Sequence, residues 1–124
     1  MLDPVFLAGL MQRGWRDVSC AACRDGVDVH YFYREDARPG TPVWVLLRYQ
    51  ASASAPLHRH TGLETIIVLE GSQSDERGRY CVGSLNFNPE GTVHRVWRED
   101  GCTVLIQWAR PVKIPAIWLV HSIC

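Results

Sequence analysis

The stretch "HRHTGLETIIVLEG", residues 58–71, joins residues that bind metals to an apolar run typical of a β-strand. His58 and His60 are two residues apart, and Glu64 begins a β-branched, apolar run that ends at Gly71. Side chains alternate between the faces of a strand, so His58 and His60 project together if the strand extends that far. Two histidines at this spacing also occur by chance, so the pair alone is weak evidence for a metal site.

The rest of the chain predicts one small all-β domain. It has 124 residues, the size of a single folded unit. Segments rich in Gly, Pro, Ser and Asp separate short runs rich in Val, Ile and aromatic residues, which is typical of an antiparallel sandwich or barrel. These runs are "VDVHYFY", "PVWVLLRY", "ETIIVLE", "RYCVGSLNF", "VHRVW" and "CTVLIQWA". Residues 3–13 are the one segment expected to be able to form a short helix, with Asp3 as its N-cap and Pro4 as its first residue.

Charge and the N-terminus argue against several classes of protein. Thirteen basic residues balance thirteen acidic ones, so no large field would attract nucleic acid or anionic lipid. Asp3 and Pro4 stand where a signal peptide would carry basic charge, and no apolar run reaches the length of a membrane span. We therefore expect a cytoplasmic protein that binds neither nucleic acid nor membranes.

A second block, "GSLNFNPEGTVH" at residues 83–94, follows the first in order. The two blocks read HxHxxxExxxxxxG and GxxxxxPxGxxH, and together they resemble the two motifs of the cupin superfamily, also called RmlC-like. The matching residues are His58, His60, Glu64 and Gly71 in the first block and Gly83, Pro89, Gly91 and His94 in the second. We interpret the three glycines and the proline, Gly71, Gly83, Gly91 and Pro89, as turn residues that orient the ligands.

Residues 46–108 resemble most closely the cupin domain of the ChrR anti-sigma factors and their stand-alone relatives. The shared features include "LRY", "VLEG" and the two motifs. The resemblance implies a double-stranded β-helix, a jelly-roll-like barrel. It would form a single domain over residues 1–124, with a core at 43–110, N-terminal strands within 1–42 and an apolar tail at 111–124. It also implies four metal ligands, His58, His60, Glu64 and His94.

The ligand chemistry agrees with a single divalent transition metal. Three imidazoles and one carboxylate suit zinc or iron, and also nickel, manganese or copper. The same four residues can form a closed site or leave positions open to water and substrate. The alternative is a polar barrel mouth without a metal.

Three functions from different classes remain open at this point. The first is a metal-binding cupin that binds or senses a small molecule. The second is a metal-dependent dioxygenase that cleaves C–C bonds of diketones or aryl ketones, since the aromatic strands could line an apolar pocket. An isomerase, epimerase or hydrolase is a third, weaker hypothesis, because no residue is an evident general base. Leu63 and Thr65 replace the small or polar neighbours that relatives have beside the ligand Glu64, and they make the mouth more apolar.

Expectations about partners rest on the two ends of the chain. The apolar tail, residues 111–124, must pack on its own sheet or on a second subunit, so a homodimer is expected. The ChrR anti-sigma factors carry an N-terminal zinc-binding helical domain that holds the sigma factor. Only about 40 residues precede "WVLLRY" here and they resemble strands, so sigma-factor binding by that mechanism is not expected.

Several other residues are interpreted as structural. Cys20 and Cys23 form a CxxC without a second ligand pair, so ordinary thiols are favoured over a metal pair. His30 and His121 have no partner at ligand spacing, and Glu70 precedes a turn, where a solvated carboxylate is expected. In the "VWVLLRY" strand, Tyr49 is expected to face inward and Arg48 outward, although the composition also permits the reverse.

Overall fold

The computed structural model describes residues 2–34, 40–110 and 112–113, and it folds them mainly into β-strands. The predicted all-β class is confirmed. The strands are β1 (Ala21–Arg24), β2 (Val27–Tyr33), β3 (Val43–Tyr49), β4 (Ser54–His60), β5 (Glu64–Asp75), β6 (Gly78–Cys81), β7 (Leu85–Asn88), β8 (Val93–Trp97), β9 (Cys102–Trp108) and β10 (Val112–Lys113).

The strands pair antiparallel in the order β1-β2-β3-β9-β5-β8-β4-β10, and β6 and β7 also pair with β5. The long strand β5 connects the two halves of this sheet. Its first part pairs with β7 and β9, and its last four residues pair with β6. Gly71 lies where the pairing changes and has a φ of 71°, a conformation that favours glycine. The sheet therefore curls into a barrel-like shell.

The interior of the shell is filled by alternate residues of the strands. Val43, Val45, Leu47 and Tyr49 of β3 belong to one buried cluster with residues of β2, β5 and β9. The prediction that Tyr49 faces inward is confirmed. Arg48 lies on the opposite face, where its guanidinium donates a hydrogen bond to the backbone oxygen of Trp15.

The helix expected over residues 3–13 does not form. Two short 3₁₀ turns, Leu10–Gln12 and Gly14–Asp17, take its place. Gly9 and Arg13 adopt left-handed conformations, with φ values of 57° and 71°, which interrupt an α-helix. The irregular backbone lets Trp15 and Val18 pack on Leu46 and Leu69 of the outer sheet face, so tertiary packing overrides local propensity. Among the described residues, no helix is long and apolar enough to cross a membrane.

Two strand boundaries differ from the sequence pattern. Residues 51–56 separate the predicted runs "PVWVLLRY" and "ETIIVLE", but they are not a turn throughout, because β4 begins at Ser54. The run "RYCVGSLNF" is divided into β6 and β7 by a turn at Gly83, whose φ is 86°. The tail on which the expected homodimer rests lies outside the described residues, apart from the backbone of Val112–Lys113, so the dimer stays untested.

Candidate metal centre

Three histidines meet inside the shell. His58 and His60 lie on β4, and His94 comes from the neighbouring strand β8, where it pairs directly with His58. The Nε2 atom of His94 lies 3.0 Å from Nε2 of His58 and 3.0 Å from Nε2 of His60. All three side chains are buried, and each offers a ring nitrogen that lies within 4.8 Å of the others, an arrangement that could hold a metal ion.

The hydrogen bonds formed by the Nδ1 atoms of His58 and His94 indicate which nitrogen of each ring carries the proton. His58 Nδ1 lies 2.7 Å from the carbonyl oxygen of Pro56, and His94 Nδ1 lies 3.0 Å from Oδ2 of Asp75. A carbonyl or carboxylate oxygen can only accept, so both Nδ1 atoms carry the proton and donate it. In the neutral rings, the two Nε2 atoms then present lone pairs to each other at 3.0 Å. A cation between them would relieve that repulsion, so the residues fit a metal.

Burial keeps the rings of His58 and His60 neutral. It is the largest cause that lowers the pKa of His58 to about 4 and the pKa of His60 to about 3. The charge of the other imidazoles adds to the lowering. At neutral pH, each of these two rings therefore has an unprotonated nitrogen available as a metal ligand, because a fully protonated imidazole cannot coordinate.

Glu64 begins β5 beside the imidazoles and is 4% exposed. Its Oε1 lies 3.5 Å from His60 Nε2 and accepts a hydrogen bond from Asn88 Nδ2 at 2.9 Å. Its Oε2 accepts a hydrogen bond from Trp108 Nε1 at 2.5 Å. Burial raises the pKa of Glu64, although the hydrogen bonds from Trp108 and Asn88 oppose the rise. The arrangement that could hold a metal ion consists of His58, His60 and His94, so the role of Glu64 as fourth ligand stays a prediction.

Asp75 is a residue of this site that the sequence pattern did not identify. It lies between the predicted strand runs "ETIIVLE" and "RYCVGSLNF", yet it is the last residue of β5 and is 5% exposed. Its carboxylate accepts hydrogen bonds from Tyr80 Oη, the backbone N–H of Arg77 and Nδ1 of His94. Burial would raise the pKa of Asp75, but these hydrogen bonds outweigh burial and lower it. Asp75 therefore fixes the orientation and the tautomer of the His94 ring.

We expect Asp75→Asn to lower metal affinity roughly 10- to 100-fold, as is usual for a carboxylate that orients a ligating histidine. Titration of the metal-free protein against a chelator of known affinity would measure the change. Tyr80→Phe is the matched control, because it removes a hydrogen bond to the other oxygen of Asp75 without touching His94. Equal affinities for Asp75→Asn and wild type would show that the hydrogen bond from His94 to Asp75 does not support the ligand.

A small cavity of about 30 Å³ lies next to the histidines. His58, His94 and Glu64 line it together with apolar side chains of the shell, including Ile66, Val96 and Ile106. Gln73, Arg24, Arg98 and Tyr49 also line it. The histidines thus lie beside a small pocket that combines apolar walls with convergent polar groups.

The residues interpreted as structural lie away from this site. His30 Nδ1 lies 2.8 Å from the backbone oxygen of Ser19, and its ring packs edge-on against Phe32. Cys20 is a free thiol that packs with the outer cluster, as expected. Cys23 packs against the interior cluster and is disulfide-bonded, so the interpretation of Cys23 as an ordinary thiol is wrong. Glu70 is partly exposed and lies 3.9 Å from Arg16. His121 lies outside the described residues.

Comparison with protein families assigns the chain. The model of the ChrR cupin-like domain matches residues 12–110, which is most of the sequence. The chain belongs to the ChrR cupin-like domain family. A comparison with curated proteins found no match.

Solved structures agree with this assignment. The anti-sigma factor ChrR of Rhodobacter sphaeroides, in complex with SigE, is similar to the chain with a TM-score of 0.69 and 26% identity, over 85% of this chain and 57% of that one. An RmlC-like cupin protein of Ralstonia eutropha matches with a TM-score of 0.68 and 20% identity, over 90% and 71% of the two chains. An acetylacetone dioxygenase of Acinetobacter johnsonii matches with a TM-score of 0.67 and 14% identity, over 78% and 70%. The predicted double-stranded β-helix is confirmed.

One expectation about partners is wrong. Sigma-factor binding was not expected, because the residues before "WVLLRY" were interpreted as strands and not as a helical domain. The ChrR cupin-like domain that this chain resembles belongs to a protein solved in complex with a sigma factor, so an association of that kind is open to this chain. The chain spans only 57% of that relative, so its partners are not transferred by the likeness.

Proposed function

We propose that this ChrR-like cupin binds one divalent transition metal through His58, His60, His94 and Glu64, and that it binds or senses a small molecule at this centre. The observation that supports the proposal is the meeting of three histidine Nε2 atoms in a buried site, where Nε2 of His94 lies 3.0 Å from each of the other two. When bound, the metal would supply positive charge and a Lewis-acidic centre. Zinc and iron are the metals that we favour, because three imidazoles and one carboxylate suit both.

The protein's own residues then have separate tasks. Asp75 and the Pro56 carbonyl hold the rings of His94 and His58, while Asn88 and Trp108 hold the carboxylate of Glu64. The pKa of Glu64, which burial raises in the metal-free site, would fall when a cation neutralises its charge. The apolar walls exclude bulk water from the centre.

A metal-dependent dioxygenase acting on diketones or aryl ketones is the second candidate. The apolar walls of the cavity favour it, and the likeness to acetylacetone dioxygenase, at 14% identity, supports the shared fold alone. The cavity argues against it, because 30 Å³ is far below the roughly 300–1,000 Å³ of usual ligand pockets. A diketone would enter only after the walls had moved.

Oxygen uptake separates the two candidates. The protein would be loaded anaerobically with Fe(II), mixed with a panel of β-diketones and acyl phenols, and exposed to oxygen in a Clark-type cell. We expect full metal loading without substrate-dependent oxygen uptake, with the His58→Ala/His94→Ala variant as the metal-free control. Sustained uptake by wild type and none by the variant would favour the dioxygenase.

A further inference from the structure

Arg98 is a buried cation that the proposed metal centre does not use. It follows β8 directly, and its side chain is 4% exposed. His94, Val96 and Arg98 have the same parity, and all three line the interior cavity. Arg98 lies four residues of extended chain beyond His94, or about 13 Å between Cα atoms.

The guanidinium of Arg98 is incompletely satisfied. Nη2 donates a hydrogen bond to Oε1 of Gln73 at 2.9 Å, but Nε and Nη1 have no hydrogen-bond partner. No carboxylate of the described residues forms an ion pair with it. A buried charge is costly unless hydrogen bonds and an opposite charge compensate it, so this arrangement favours the binding of an anion beside Arg98.

The nearest groups cannot supply that anion. The ring of Tyr49 lies against the guanidinium, and burial raises the pKa of its hydroxyl, so the ring stays neutral. Burial also raises the pKa of the Cys102 thiol, although Arg98 opposes the rise. Both groups are uncharged at neutral pH. The π face of Tyr49 offers only partial compensation to the cation.

The charged residues that line the cavity also favour an anionic ligand. Arg24 is a second guanidinium that lines it, and its Nη1 donates a hydrogen bond to the backbone oxygen of Ser54. Glu64 is the one carboxylate among the lining residues. Cations therefore outnumber anions in the cavity before a metal is added, and a divalent metal would increase the excess.

We propose that the cavity is a binding site for a small carboxylate, which accepts hydrogen bonds from the free N–H groups of Arg98. The carboxylate would be the size of formate or acetate, because the cavity of about 30 Å³ has room for only a few heavy atoms. Charge-assisted hydrogen bonds to a guanidinium are strong and are well suited to carboxylate oxygens. This proposal names the class of small molecule that the proposed function leaves open. It depends on the proposed function only for the presence of a metal near the cavity.

Calorimetry with the full chain, in metal-free and zinc-loaded form, tests this assignment. Formate and acetate are the probes, and formamide and acetamide are their neutral counterparts of the same shape. We expect the carboxylates to bind at least 10-fold more tightly than the amides in both forms of the protein. Equal affinity for acetate and acetamide would overturn the proposal without any variant.

Substitution of Arg98 separates its role from that of the metal. Arg98→Met should lower acetate affinity roughly 10- to 100-fold, the effect of losing hydrogen bonds to a charged group. It should leave zinc affinity unchanged. A buried, unpaired charge can often be replaced by an apolar residue without loss of stability, so we expect Arg98→Met to fold. Arg98→Lys, which keeps the charge but loses the planar donor array, should be intermediate.

Arg59→Met is the matched control, because Arg59 is exposed on β4. It should bind acetate like wild type. Undiminished acetate binding by Arg98→Met would overturn the proposal, as would a failure of wild type to bind carboxylate while zinc binds normally. Carboxylate binding without any zinc binding would keep the inference and reject the metal centre, so the two failures are distinguishable.

Discussion

Gly71→Ala should lower the free energy of unfolding by about 4 kcal/mol or more, at the upper end of single substitutions. Gly71 has a φ of 71°, and an added Cβ would lie 1.8 Å from the backbone oxygen of Gly101. That oxygen precedes Cys102, which pairs with Gly71 between β5 and β9. The strands could make room only by separating at the point where β5 passes between the two halves of the sheet. Urea unfolding at matched metal content would measure the loss.

Gly83→Ala is the control for this prediction. Gly83 also has a positive φ, 86°, but an added Cβ would meet no atom within 4 Å. Its cost should be that of the left-handed conformation alone, about 1–2 kcal/mol. If the two variants lost the same stability, close contact between β5 and β9 at Gly71 would not be a determinant of the fold.

The double variant His58→Ala/His94→Ala should lose nearly all stabilisation by metal. A metal that binds only the folded state adds about 4 kcal/mol when its free concentration is 1,000 times the dissociation constant. Wild type should gain this amount with zinc, whereas the variant should gain almost nothing, because it keeps His60 as the sole imidazole of the cluster. Denaturant unfolding with and without zinc would measure the difference.

His30→Ala is the control for the double variant. It removes an imidazole that interacts with the Ser19 backbone and Phe32, away from the cluster. Zinc should stabilise it as much as wild type. An equal gain in the double variant would place the metal elsewhere in the protein.

The sequence predicted the elements whose signals are local. The run of apolar and aromatic residues in "VWVLLRY", bounded by turn residues, was sufficient to identify β3, and the inward direction of Tyr49 was the preferred of two registers. The N-terminal segment was misjudged because the cap signals at Asp3 and Pro4 are local, whereas packing of Trp15 on Leu46 is tertiary. Gly71 was expected to make a turn, but it lies within β5, because a single strand serves both halves of the sheet.

The same distinction explains what was found of the candidate site. The cupin motifs pointed to His58, His60 and His94, which the structure brings together. The supporting residues have no motif. Asn88 and Trp108 reach Glu64 from 24 and 44 residues away along the chain, through strand pairing that local patterns do not encode. Arg98 had one usable signal, since it continues the parity of His94 and Val96.

The most direct test of the metal centre is X-ray absorption spectroscopy on the protein reconstituted with one equivalent of zinc and freed of excess metal. We expect about one zinc per chain, coordinated only by nitrogen and oxygen, with multiple scattering from three imidazole rings. Sulfur coordination would instead point to the cysteines. A spectrum with sulfur ligands, or a protein that retains no zinc, would contradict the assignment of His58, His60 and His94 as the metal site.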